Sequence, residues 1–294
     1  MILATAMMLA GCGDDNPPSE TDGSTGSSTT NATDGGTTPS TSSTSGSGST
    51  SVDSSSSSGA DTGSSSGSST GTSGGSEGSG DASSTGSVPT VTLTGIVTDF
   101  GTPDPLEGMN VCVFGQDGIP CATTDATGAY SLMGVPVAEG AIEFTGPSRF
   151  PSLFWGEGPA EDQILNYNLL STLAAAALAV FLGEQIDDSL GHLALAVSDG
   201  DGTLVSGVSF TMTPSSGALG YLTPDGIDPQ LTETTEVGFA GWLNVDVGEV
   251  EITASHPTLT CVPGPGALVG ATPDALRIEV TAAYLGSTFP FVCT

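Results

Sequence analysis

The chain contains no lysine. Its two basic residues are Arg149 and Arg277, set against 33 acidic residues and a formal net charge of −31. A nucleic-acid-binding face needs several Lys and Arg side chains to neutralise phosphates, and that class is excluded. A phosphate-loop lysine, a Schiff-base lysine and a basic membrane-surface patch are excluded as well. Apolar runs are short, and none approaches the ~20 residues a spanning helix requires. Histidine occurs only at His192 and His256, and no C-x-x-C or H-x-x-x-H spacing is present, which argues against a zinc site. Charged residues are 12% and aromatic residues 5% of the chain.

What the chain has in excess is Ser, Thr and Gly. They make up 57 of the 76 residues from Gly13 to Val88. Such a stretch has almost no apolar surface to bury and cannot offset its ordering entropy. Residues 12–88 therefore read as a flexible tether, with an r.m.s. span of roughly 50 Å. Its chance G-x-S-x-G matches mean nothing outside a strand-to-helix turn. About 200 residues remain for packed structure, enough for two small domains.

The first ten residues, Met1–Ala10, are an apolar run, and Leu9-Ala10-Gly11-Cys12 follows. This resembles the lipobox of bacterial surface lipoproteins, of the myxobacterial type in its long Ser/Thr tract. The resemblance implies cleavage of residues 1–11 as a signal peptide and lipidation at Cys12. It also implies export to the bacterial cell envelope, at the outer membrane or cell surface, with the membrane as partner through the lipid anchor. The run lacks the basic residue that export signals carry, so a start site further upstream is expected. Two or three acyl chains hold a protein at a bilayer without help from a basic patch.

From Pro89 the texture changes to short alternating apolar runs broken by Gly, Pro and Asp. Val91, Leu93 and Val97 define the first, and Met109, Val111 and Val113 the second. Strands of this spacing predict an all-β fold of antiparallel β-sandwiches. The segments Thr94–Asp99, Pro105–Val111, Thr123–Leu132 and Gly134-Val135-Pro136 resemble the carboxypeptidase regulatory-like domain over 89–170. That resemblance implies a transthyretin-like (prealbumin-like) Greek-key sandwich and a cell-surface habit. It implies no peptidase activity, because neither His192 nor His256 stands in an H-x-x-E pair. The fold is also grouped with carbohydrate-binding sandwiches, a hint by analogy only.

A second, divergent copy is legible over 191–294. Thr124–Leu132 matches Thr235–Leu243, Gly140–Thr145 matches Gly248–Thr253, and Gly108–Phe114 matches Gly207–Thr213. Between the copies, over 171–190, the run from Ser171 to Gly183 predicts a helix of about three turns: Ser171 as N-cap, a string of alanines, and Gly183 as terminator. Being apolar all round, it is expected to be buried at the junction of the two sandwiches.

Cys112, Cys121, Cys261 and Cys293 remain once Cys12 is set aside. An even count in an exported chain predicts disulfides. Three connectivities are open; in one, Cys112 faces Cys121 across a short loop and Cys261 ties to Cys293. Asp199 and Asp201, in a Gly-rich loop, are the candidate Ca²⁺ ligands, although such sequences are more often solvated turns; no other cofactor is indicated. Trp155 and Phe154, in a Pro/Gly-flanked loop expected over Ser148–Pro159, are the candidates for stacking on a surface glycan, against the more frequent fate of core packing. No catalytic residue is assigned and the chain is read as a non-enzyme. The role predicted is structural or adhesive display of sandwich modules to a glycan or protein partner. A Ca²⁺-assisted carbohydrate-binding module is the alternative, and a hydrolase comes last.

Overall fold

The computed structural model describes residues Pro89–Thr294. The signal peptide, Cys12 and the tether lie outside the described residues. The chain from Pro89 is all-β with one helix. The first module holds β1 (Thr90–Asp99), β2 (Asn110–Val113), β3 (Ala122–Thr123), β4 (Ala129–Pro136), β5 (Gly140–Thr145), β6 (Ser152–Gly156), β7 (Gln163–Ile164) and β8 (Tyr167–Leu169). The helix α1 (Thr172–Phe181) follows. Then come β9 (Gly191–Ser198), β10 (Ser209–Thr213), β11 (Ala218–Thr223), β12 (Gly226–Asp228), β13 (Phe239–Val245) and β14 (Gly248–Ser255). The chain ends with β15 (Cys261–Pro263), β16 (Ala275–Val280), β17 (Leu285–Thr288) and β18 (Phe291–Cys293).

Two-residue periodicity places the core. In β4, Tyr130 and Leu132 point inward and Ser131 and Met133 outward. In β14, Val250 and Ile252 are buried between Glu249 and Glu251, which face outward. The central strand β9 is apolar almost throughout, as a strand covered on both faces must be.

The two modules are repeats at the level of individual hydrogen bonds. Thr124 Oγ1 donates to Leu106 O at 2.5 Å and accepts from Met109 N at 2.9 Å. Thr234 Oγ1 donates to Val205 O at 2.8 Å and accepts from Val208 N at 3.1 Å. Gly128 and Gly238 each close the next turn, at φ 74° and 65°. A Cβ on Gly128 would lie 2.5 Å from Val97 O, and one on Gly238 3.0 Å from Val197 O. Strand pairing follows suit: Thr94 faces Ser131 as Ala194 faces Gly241, and Ile96 faces Ala129 as Ala196 faces Phe239. β1 runs parallel to β8 as β9 runs parallel to β18. The structure therefore equates Thr124 with Thr234, one residue from the match read in the sequence. Through the pairing with β2 and β10, it shifts the β5–β14 match by two.

The modules are fused edge to edge. β6 of the first pairs in parallel with β17, which also pairs in parallel with β9, so one sheet of eleven strands crosses both. Register fixes which side chains share a face. Phe154, Ser152, Leu285 and His192 lie on one face; Leu153, Trp155, Gly286 and Leu193 lie on the other. The core of the first module uses the former face, with Phe144, Ile142 and Tyr167. The core of the second uses the latter, with Leu193, Leu195 and Trp242, and recruits Leu153 and Trp155 from β6. The large sheet is thus sandwiched on opposite faces in its two halves: by β4-β1-β7 in one, by β10-β14-β16 in the other. Over the second half, the remaining face is covered by α1.

α1 starts as the sequence predicts. Ser171 is the N-cap, its side chain accepting from Ala174 N, and Gly183 follows the C-cap at φ 74°. Its burial differs from the expectation. Ala175 and Ala179 are buried, whereas Leu173, Val180 and Phe181 are 81%, 75% and 56% exposed. Only one helix face can meet a flat sheet, so an all-apolar helix there leaves the other face in solvent.

Candidate functional site

The disulfides pair Cys112 with Cys121 and Cys261 with Cys293. The first links β2 to the chain entering β3. The second joins directly opposed residues of β15 and β18 and is buried, with Cys261 and Cys293 at 6% and 1% exposure.

The glycan-stacking expectation is not met at Trp155. This residue lies in strand β6 rather than in a loop and is buried in the core that spans the module junction. Phe114 packs edge-on against it at 6.3 Å. Trp155 projects from the face of the large sheet on which the second module's core packs, and that core buries it. Phe154 is half-buried on the opposite face, edge-on to Tyr167 and Phe289, and lines a cavity of about 80 Å³ with Ile142 and Leu165.

The acidic loop is a closed turn. Asp199 Oδ1 accepts from Asp201 N at 2.9 Å and from Thr203 N at 2.8 Å. These bonds hold its carboxyl below the usual carboxylate range. Asp125 occupies the corresponding kind of turn in the β3–β4 hairpin, with Thr127 and Ala129 as donors. Among the described residues no group of three or more His, Cys, Asp or Glu side chains is placed to hold a metal ion. Both arginines are engaged: Arg149 with Asp99, and Arg277 with Glu139 at 2.7 Å and Glu249 at 3.3 Å.

The sequence reading passed over the most distinctive site, which lies between α1 and the large sheet. Phe100, Phe150, Leu178, Ile227 and Phe239 line a partly open cavity of about 90 Å³, and His192 lines it from β9. His192 is 2% exposed. Its Nδ1 accepts from Asn244 N at 3.1 Å. A neutral imidazole with an accepting Nδ1 carries its proton on Nε2. That Nε2 is buried without a hydrogen-bond partner. Burial holds the imidazole pKa below its ordinary value, against the opposing pull of Asp188 and Asp187. Two polar groups on the same lining satisfy each other, Tyr167 Oη and Ser287 Oγ at 3.0 Å. The other histidine, His256, sits in an exposed turn and accepts from Thr258 N and Leu259 N. Nothing local in the sequence marked His192, because the groups around it come from β8, α1, β13 and β17.

No family model matches the chain, and no curated protein matches it. Among solved structures it is similar to a cohesin–X–dockerin complex from Acetivibrio cellulolyticus, at 15% identity and TM-score 0.24 over 27% of this chain. It is similar to the Bacillus anthracis TIE protein at 13% identity and TM-score 0.24 over 70% of this chain. The chain spans 56% and 34% of the lengths of these two. A third likeness is to GBS52, the minor pilin of Streptococcus agalactiae, at 14% identity and TM-score 0.23, covering 69% of this chain and 96% of that one. Scores this low leave function to be argued from the chain's own residues.

Proposed function

We propose that this is an exported, lipid-anchored protein of the bacterial cell envelope that displays a rigid pair of carboxypeptidase-regulatory-like sandwiches, in a structural or adhesive role. The carrying observation is the fusion of two repeats into one sheet through the β6–β17 pair. Domains joined only by a linker move relative to one another by default; a shared sheet with a common core at Leu153 and Trp155 removes that freedom. Two disulfides reinforce the same body. A stiff, acidic double module behind a long Ser/Thr/Gly tether suits presentation at a distance from a membrane. The anchor is the acylated Cys12, and among the described residues no helix is long and apolar enough to cross a membrane.

Intact-mass analysis of the membrane fraction tests this. The expected species begins at Cys12, carries acyl chains, and has no free thiol among Cys112, Cys121, Cys261 and Cys293. Recovery of a soluble species that still begins at Met1 overturns the anchoring.

A further inference from the structure

The internal repeat shows what each module would look like without the other's specialisations. The face of β1 and β4 that points away from the first core carries Thr92, Thr94, Ser131 and Met133, all half-buried or exposed. The register places His192, Ala194, Gly241 and Leu243 at the same positions of the second module. A solvent-facing surface of mixed character in one copy, with Ile96 44% and Met133 70% exposed, is replaced by an apolar, small-residue surface in the other, and α1 has been laid over it. The lid does not fill the space. The facing Ala194–Gly241 pair contributes little side-chain volume, and both residues line the cavity together with Ala175 and Leu178 of α1. Its one polar atom without a partner is His192 Nε2, in a ring held edge-on to Phe150 at 5.3 Å.

We infer that this cavity is a binding site for a small, uncharged, largely apolar molecule bearing one accepting oxygen, such as a ketone or ester carbonyl, to which His192 Nε2–H donates. Each part of this description follows from the lining. The occupant must accept, because Asn244 N fixes the imidazole with Nε2 as donor. It must be uncharged: no Arg, Asp or Glu lines the cavity, and both arginines are bound to carboxylates elsewhere. A buried ion would lack a counter-charge. It must be small, since a cavity of about 150 Å³ admits benzene and this one is about 90 Å³. About four heavy atoms fit inside by that comparison.

The test uses the full chain labelled with ¹⁵N-histidine, which gives only two imidazoles, His192 and His256. Acetone is the probe, with isobutene as the isosteric hydrocarbon and acetate as the anionic control. The expected result is a saturable shift of the His192 Nε2–H resonance with acetone while His256 stays fixed. The ketone should bind about fivefold tighter than the hydrocarbon, the worth of one net hydrogen bond, and acetate should not bind. His192→Phe should abolish the preference, and Leu178→Trp, which fills the space and leaves His192 in place, should abolish binding. No saturable change, equal affinity for ketone and hydrocarbon, or binding that survives Leu178→Trp overturns the inference. The ketone-against-hydrocarbon comparison on the unsubstituted chain needs no variant, so misfolding of either variant leaves the proposal falsifiable. Lipidation at Cys12 plays no part in the outcome, so this test is independent of the anchoring reading.

Discussion

Replacing each disulfide in turn by a pair of alanines separates the two crosslinks by loop length. Cys112 and Cys121 are 9 residues apart, whereas Cys261 and Cys293 are 32 apart. A crosslink stabilises chiefly by restricting the unfolded chain, more so for longer loops. The loop-closure relation gives about 2.7 kcal/mol for the short loop and about 3.7 kcal/mol for the long one. Packing widens the gap in the same direction. Cys261 and Cys293 are buried, so their sulfur atoms also leave a void, while Cys121 is exposed. In a body of this size each kcal/mol moves the melting temperature by about 2–4 °C. The long-loop variant should then melt about 7–15 °C lower and the short-loop variant about 5–11 °C lower. Thermal unfolding followed by circular dichroism, under identical oxidising buffer, measures both. A Cys112→Ala/Cys121→Ala variant as damaged as Cys261→Ala/Cys293→Ala would refute the reasoning. Graded reduction with differential alkylation gives a second reading: Cys112–Cys121 should open at reductant levels that leave Cys261–Cys293 intact.

Thr124→Val and Thr234→Val should each cost about 1–3 kcal/mol, because each strands a buried amide and a carbonyl that the hydroxyl serves; urea titration checks whether the two costs match, as equivalent positions require. Trp155→Ala should cost about 3–5 kcal/mol as a core truncation at the module junction, and a glycan array on the folded chain should show no binding that depends on this ring. Well above pH 6.5 His192 is neutral in both folded and unfolded chains; as pH falls through that value the unfolded chain takes up the proton first, so the melting temperature should fall from about pH 7 downward. His192→Gln should flatten that slope. Below about pH 4 a second loss should follow as the turn carboxylates Asp125, Asp187, Asp199 and Asp274, all held low by hydrogen bonds, become protonated.

Features with local causes were legible in the chain. The α1 boundaries followed from a serine cap and a terminating glycine. The hairpin around Gly128 announced itself because Asp, Thr and Gly stand where an Asx turn needs them. The all-β class followed from alternation. Features set by distant pairing were not legible. Ser152–Gly156, flanked by Pro151 and Pro159, looked like a loop; it pairs with the nearby β5 on one side and, on the other, in parallel with β17, some 130 residues downstream. The distant pairing brings its Trp155 face onto the second module's core, so a ring expected at the surface is buried. The repeat was visible through its glycines and aromatics, yet its register slipped, since a turn can be matched by its glycine or by its threonine. The hydrogen bonds of Thr124 and Thr234 remove the ambiguity.

Fusion through β6 and β17 also explains why the second module diverged where it did. A sandwich standing alone leaves its outer faces to solvent, and the first module does so at Thr92, Thr94, Ser131 and Met133. Joining the two sheets brings the first module's layer, with Phe100 and Phe150, up to one side of the second module's outer face. The chain leaving β8 must cross that face to reach β9, and α1 is the crossing segment. A polar face beneath a crossing helix would bury unsatisfied groups, so Ala194 and Gly241 in place of Thr94 and Ser131 are what packing demands. Packing alone does not demand a histidine at position 192. Its Nδ1 is used to hold Asn244 N in the β13 irregularity near Val245, a task a smaller acceptor side chain could perform without burying a second ring nitrogen. The nitrogen that structure does not use is buried without a partner, on a residue that lines the cavity.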